Sequence, residues 1–150
     1  MRKAWIYGLL LAAALAVPTQ TVKLGQMRPV ETVYLYKRGN VVVIATDTKD
    51  QGVGSTASEA LDNLKETASG IIYLDTAKYL LIGKDAEDQI LQIGEKLKPD
   101  TYLCGVVGNV DLTEASSYLN VHRPRVTLRR WNEKTKLQTL VFERDMKKLQ

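Results

Sequence analysis

The residue pattern in this chain best suited to chemistry is Gly52-Val53-Gly54-Ser55-Thr56-Ala57, which fits G-x-G-x-x-A and opens a helical pattern. Asp75 follows at the end of the next strand-like run. In a dinucleotide-binding fold the glycines let the backbone approach a pyrophosphate, the helix N-terminus favours the anion, and the acid takes a ribose hydroxyl. Two features oppose that chemistry here. Residues 47–51 separate the preceding strand from the first glycine, where the fingerprint wants a tight turn. The preceding strand also reads as half of a hairpin, not of a parallel unit.

Cys104 is the only cysteine and lies in the apolar run Tyr102–Val107; His122 is the only histidine. A Cys104–His122 pair would be a nucleophile with its base. Nothing in the spacing joins the two, and burial raises a thiol pKa, so Cys104 reads as a small buried hydrophobe. A single cysteine excludes an intramolecular disulfide and a cysteine zinc cluster. Asp85, Glu87 and Asp88 are grouped, but in the first turn of a helical pattern, where acids suit the macrodipole. Ser55, Ser58, Ser116 and Ser117 have no G-x-S-x-G setting. No catalytic residue, cofactor or metal is assigned on these grounds.

Charge offers a second kind of site. The net charge is +4, yet residues 17–121 hold ten Lys/Arg against fourteen Asp/Glu, and residues 122–150 hold nine against three. Arg123, Arg125, Arg129, Arg130, Lys134 and Lys136 follow one another with only Glu133 opposing them. If 125–131 and 137–143 form a hairpin, alternation puts Arg125 and Arg129 beside Trp131 on one face. Arg and Trp together are a frequent composition of binding hot spots, so Arg125, Arg129, Arg130 and Trp131 are the candidate partner-binding residues. Solvated charges guarding a sheet edge are the competing explanation.

The elements that must position these residues follow from periodicity. Residues 30–37 alternate, Arg38-Gly39-Asn40 turns, and 41–46 is a β-branched run, which together predict a hairpin whose second strand is buried on both faces. Residues 47–54 read as a loop. Thr56 with Glu59 predicts a capping box for a helix with Ala57, Ala60, Leu61, Leu64 and Ala68 inward, ended by Gly70. Short strands are expected at 71–74, 79–82 and 101–107. A second helix is expected over 85–98, burying Ala86, Ile90, Ile93 and Leu97, and a third after the Asp111 cap. The prediction is an α/β domain of α+β character over residues 30–150: a mixed sheet with about three helices packed on it and β-hairpins at both ends.

Ahead of this domain, Arg2 and Lys3 precede an uncharged stretch from Ala4 to Val17, and Ala14-Leu15-Ala16 resembles a signal-peptidase site. The stretch is shorter than the about twenty residues a spanning helix needs. Residues 1–17 are therefore expected to be a signal peptide or short membrane anchor, and 18–29 a linker. No cysteine follows the run to accept a lipid. The expected location is extracytoplasmic, where nicotinamide cofactors are scarce and nucleic acid is not a partner.

The stretch 30–107 resembles the N-terminal domain of the Ger(x)C-type subunit of spore germinant receptors. The residues that carry the likeness are Gly54-Ser55-Thr56-Ala57-Ser58-Glu59-Ala60 with Leu64, then Ile72-Tyr73-Leu74, Lys78 and Leu81-Ile82-Gly83. In that family a strand and turn lead to a G-x-[ST]-x-x-E-A helix, an apolar segment and a second helix. The family is lipidated and several domains long, and this chain departs from it in both respects. The resemblance implies a non-enzymatic subunit or homologue in a spore-forming bacterium. Two function classes stand at this stage. One is an extracytoplasmic binding module with a membrane surface or envelope protein as partner. The other is a small nucleotide-binding domain or enzyme using Gly52–Ala57.

Overall fold

The computed structural model describes residues 24–141; the expected export segment, the start of the linker and residues 142–150 lie outside the described residues. Among the described residues, nine strands and three α-helices follow in the order β1 (Met27–Pro29), β2 (Thr32–Arg38), β3 (Val41–Thr46), β4 (Gln51–Gly54), α1 (Ala57–Thr67), β5 (Ile71–Tyr73), β6 (Tyr79–Gly83), α2 (Ile90–Gly94), β7 (Tyr102–Val107), α3 (Leu112–Val121), β8 (Val126–Thr127) and β9 (Thr139–Val141). The mixed sheet with three helices is the α+β architecture that the periodicity predicts.

The main sheet runs β4-β3-β2-β6-β7, and β7 then pairs with both β8 and β9. The strands β2, β6, β7 and β9 are parallel neighbours, while β2–β3–β4 form an antiparallel meander. Alternation along the central strands divides the core in two. Val33, Leu35, Leu80, Ile82 and Leu103 face α1 and α2 on one side. Tyr79, Leu81, Cys104 and Val106 face Ala115 and Leu119 of α3 on the other. Strand β6 is buried at all five positions, as a parallel strand covered on both faces must be.

Four expectations are corrected by the pairing. Residues 51–54, read as loop, are the edge strand β4, held antiparallel to β3 across a turn in which Thr46 N–H bonds Asp50 O at 3.0 Å. Met27–Pro29, placed in the linker, pairs in parallel with β5 in a separate two-stranded sheet. The helix expected over 85–98 is a 3-10 turn at Glu87–Gln89 followed by the short α2, although Ala86, Ile90, Ile93 and Leu97 are all buried as predicted. The second hairpin does not form among the described residues. Instead β8 pairs antiparallel with Tyr102 and Leu103, and β9 pairs in parallel with Gly105–Val107. A buried β7 offers both segments a full hydrogen-bonding edge, which a two-stranded ribbon in water would not match.

Candidate functional site

The glycine motif is built into packing. Gly52 and Gly54 lie in β4, directly against α1. A Cβ on Gly52 would fall against the Ala60 carbonyl oxygen and the Leu64 nitrogen, and 2.7 Å from Leu64 Cβ. One on Gly54 would lie 2.5 Å from the Ala60 nitrogen. Glycine is therefore needed for close strand–helix contact. The helix N-terminus is also occupied by the chain's own groups. Thr56 Oγ1 accepts from Glu59 N–H at 3.3 Å, Gln89 Oε1 accepts from Ala57 N–H at 3.0 Å, and Glu59 Oε2 accepts from Ser55 N–H at 2.8 Å. The Glu59 carboxyl is held below its ordinary value by the Ser55 hydrogen bonds, so a carboxylate already stands where a phosphate would. Within the Gly54–Ala60 pattern behind the family resemblance, Gly54 and Ala60 permit close approach, Ala57 is buried, and Ser55, Thr56 and Glu59 make the capping contacts. Asp75 lies in a 3-10 turn after β5, outside the main sheet.

Cys104 is buried, and its thiol donates to Gln138 O at 3.0 Å. Burial pushes its pKa up to about 11. His122 is exposed at the end of α3 with its ring against Tyr118 at 4.5 Å, and no described contact joins it to Cys104. The acidic trio is dispersed: Asp88 pairs with Lys37 at 2.7 Å, which lowers its pKa. Among the described residues no group of His, Cys, Asp and Glu has a metal-holding arrangement.

The Arg/Trp residues are arranged differently from the predicted strand face. Strand β8 stops at Thr127, and Leu128–Arg130 is a 3-10 turn. Three residues per turn bring Leu128 and Trp131 to one side, where both pack half-buried on the α1/α2 core. Arg125, Arg129 and Arg130 remain exposed. The turn is fixed by Leu128 N–H to Thr101 O and Arg129 N–H to Pro99 O, each 2.9 Å. Trp131, Leu128 and Arg129 then line an apolar groove of about 380 Å³ with Ile90, Leu91 and Pro99. Arg125 and Arg130 are not part of its lining. Gly94, also in the groove, leaves 3.2 Å for Leu128 Cδ2 against a Cβ it does not carry. Leu91, at 61 % exposure, is an apolar side chain presented to solvent at the groove.

A second depression lies across the segment 98–101. Pro99 faces the groove, whereas Lys98, Asp100 and Thr101 line a cleft of about 490 Å³ with Lys78, Tyr79, Tyr102 and Arg123. Sequence reasoning grouped Arg123 with the tail and missed Lys78 and Lys98, because only the parallel pairing of β6 with β7 brings residues 78 and 102 together. The cleft sits at the N-terminal ends of β6 and β7, the opposite end from the usual ligand crevice of open α/β sheets. At the usual end, a cavity of about 530 Å³ has Lys84, Lys134 and Lys136 offset by Glu87 and Glu133.

Behind the cleft is a polar network. Glu31 Oε1 accepts from Lys78 Nζ at 2.9 Å and from Asn120 Nδ2 at 3.2 Å, and the Tyr79 hydroxyl donates to Asn120 Oδ1 at 2.9 Å. The Lys78 hydrogen bond lowers the Glu31 pKa, and Glu31 in turn raises that of Lys78.

Comparison of the chain with protein-family models, with curated proteins and with solved structures finds no match.

Proposed function

We propose that this chain is a non-enzymatic, extracytoplasmic binding module that attaches to an anionic membrane surface through the Trp131 groove and the arginines beside it. The observation that carries the reading is one segment, 125–131, that supplies three exposed arginines together with the half-buried Trp131, next to the exposed Leu91. Apolar side chains that can enter a headgroup layer, flanked by cations, are what interfacial attachment requires. The groove is formed by the 3-10 turn, which turns Trp131 toward the core edge and leaves the arginines in water. The resemblance of 30–107 to the germinant-receptor subunit supports an envelope setting in a spore-forming cell, and the uncharged run Ala4–Val17 supports export.

Sedimentation with vesicles tests this, using protein that lacks residues 1–22 so that the apolar run does not itself drive binding. Anionic vesicles are expected to carry the protein down and neutral ones to leave it in solution. Each cation at such a surface contributes about 1 kcal/mol. Replacing Arg125, Arg129 and Arg130 with Ser should therefore weaken partitioning by about a hundredfold, and Trp131→Ser should weaken it independently of salt. Equal binding to both vesicle types, or no change in the arginine variant, would leave edge protection as the better explanation of the charges.

A further inference from the structure

We infer that the cleft between β6, β7 and the end of α3 binds a phosphate group, with Lys78, Lys98 and Arg123 as its cationic contacts. Three separate elements supply these residues: Lys78 immediately precedes β6, Lys98 lies before β7, and Arg123 follows α3. The Arg123 guanidinium is near enough to act on the charge of both the Lys78 ammonium and the Tyr79 phenol. The Lys98 and Arg123 side chains form no ion pair or hydrogen bond among the described residues. Two acids also line the cleft. Asp100 pairs with Arg129 at 3.3 Å in an exposed contact and Asp75 is the other, so two acids stand against the three cations. Glu31 engages Lys78 from behind, but an ammonium has three donors and this bond uses one.

The geometry favours phosphate over carboxylate. A planar carboxylate is satisfied by one guanidinium fork, whereas a phosphate has oxygens to spare for ammonium groups from other directions. Thr76 and Thr101 do not compete as donors, since their hydroxyls already bond backbone carbonyls. The Tyr102 hydroxyl has no described partner and is an added donor. The half-buried Tyr102 ring, backed at 6.1 Å by the buried Tyr79 ring, offers an apolar wall for the organic part of a phosphate ester. That ester can be a soluble metabolite or a phospholipid headgroup. The inference does not depend on membrane attachment through the Trp131 groove.

Protection of arginines from phenylglyoxal, read by mass spectrometry on the full chain, tests the cleft. With the soluble ligands, Arg125, Arg129 and Arg130 serve as internal standards because they do not line it. Inorganic phosphate and glycerol 3-phosphate are expected to slow modification of Arg123 selectively, and acetate to leave it unchanged. Lys98→Gln should weaken that protection by about tenfold, the loss of one charge-assisted hydrogen bond. Lys98 is exposed, so the substitution leaves the core intact. Absence of protection at Arg123, equal protection by acetate, or uniform slowing of all four arginines would overturn the inference. A second arm adds phosphatidylglycerol to phosphatidylcholine vesicles. Protection of Arg123 there identifies a lipid headgroup as the source, and protection by the soluble ester alone identifies a metabolite. If Arg123 is protected by soluble phosphate while anionic vesicles protect no arginine, the membrane proposal falls and the cleft stands.

Discussion

Gly52→Ala is the sharpest test of the packing account of the glycine motif. The added methyl would meet the Ala60 carbonyl oxygen and the Leu64 nitrogen, and neither is the far end of a flexible side chain. Relief requires α1 to move off β4. That movement would loosen Ala60, Leu61 and Leu64, each no more than 1 % exposed. Overpacking a tight core typically costs about 1–3 kcal/mol, and a collision with backbone belongs at the upper end, about 3 kcal/mol. Against a total stability of about 5–15 kcal/mol this is a large fraction. In urea unfolding followed by circular dichroism, a slope of about 2 kcal/mol/M converts it to a midpoint lower by about 1.5 M with the slope unchanged. Gly54→Ala should behave alike, and the double variant should cost less than the sum, because both methyls press on Ala60. Gly25→Ala is the control: a Cβ there meets nothing within 4 Å, so a change within about 0.5 kcal/mol is expected. If Gly52→Ala also fell within about 0.5 kcal/mol of wild type, the strand and helix would not be in the contact described, and a phosphate-binding loop would return as the reason for the glycines.

Other predictions concern titration, packing and address. Cys104→Ala should lower stability by about 1 kcal/mol through lost packing and leave binding intact, as measured by urea unfolding and vesicle sedimentation. Because burial raises the Cys104 pKa from 9.0 to about 11, its neutral form is favoured in the folded state. Its contribution to stability is thus fully present below pH 9.0 and lost as pH rises toward about 11, and this part of the pH dependence should vanish in Cys104→Ala. Glu31 and Asp88 have the opposite sign, since Lys78 and Lys37 lower their pKa values; the stability they contribute above the ordinary carboxyl range is lost on acidification, and Glu31→Gln should flatten that acid limb in pH-dependent thermal melts. Asp47 is raised, chiefly by burial, while its carboxylate accepts Glu31 N–H at 3.2 Å; Asp47→Asn retains an acceptor and should raise the melting temperature at neutral pH but not in acid. A fusion of residues 1–25 to a reporter active only after export should be active, and a silent reporter with intact protein in the cytosol would refute the export reading.

Features under short-range physical control are legible in the residue pattern alone. Arg38-Gly39-Asn40 between an alternating run and a β-branched run specifies the β2–β3 hairpin, and Gly39 takes a positive φ of 61° in it. Thr56 and Asp111 cap α1 and α3 where the side-chain chemistry says they should. The inward residues Ala60, Leu61, Leu64, Ile90 and Ile93 follow from helical period, and the burial of Cys104 follows from its apolar neighbours. Features that depend on which strands meet are set by long-range contacts. The strand β4 reads as loop because its glycines are chosen by α1, a contact between separate elements, not by local propensity. The segment 125–131 reads as a strand by alternation, but the edge of β7 takes only Val126 and Thr127, and hydrogen bonds to residues 99 and 101 wind the next three residues into a turn. That winding separates Arg125 from Trp131 and creates the groove. The cleft was invisible for the same reason: Lys78, Lys98 and Arg123 are distant in sequence, and parallel pairing of β6 with β7, closed by α3, is what makes them neighbours. Periodicity reports which face of an element is buried, whereas a site made from the ends of three elements exists only once their register is set.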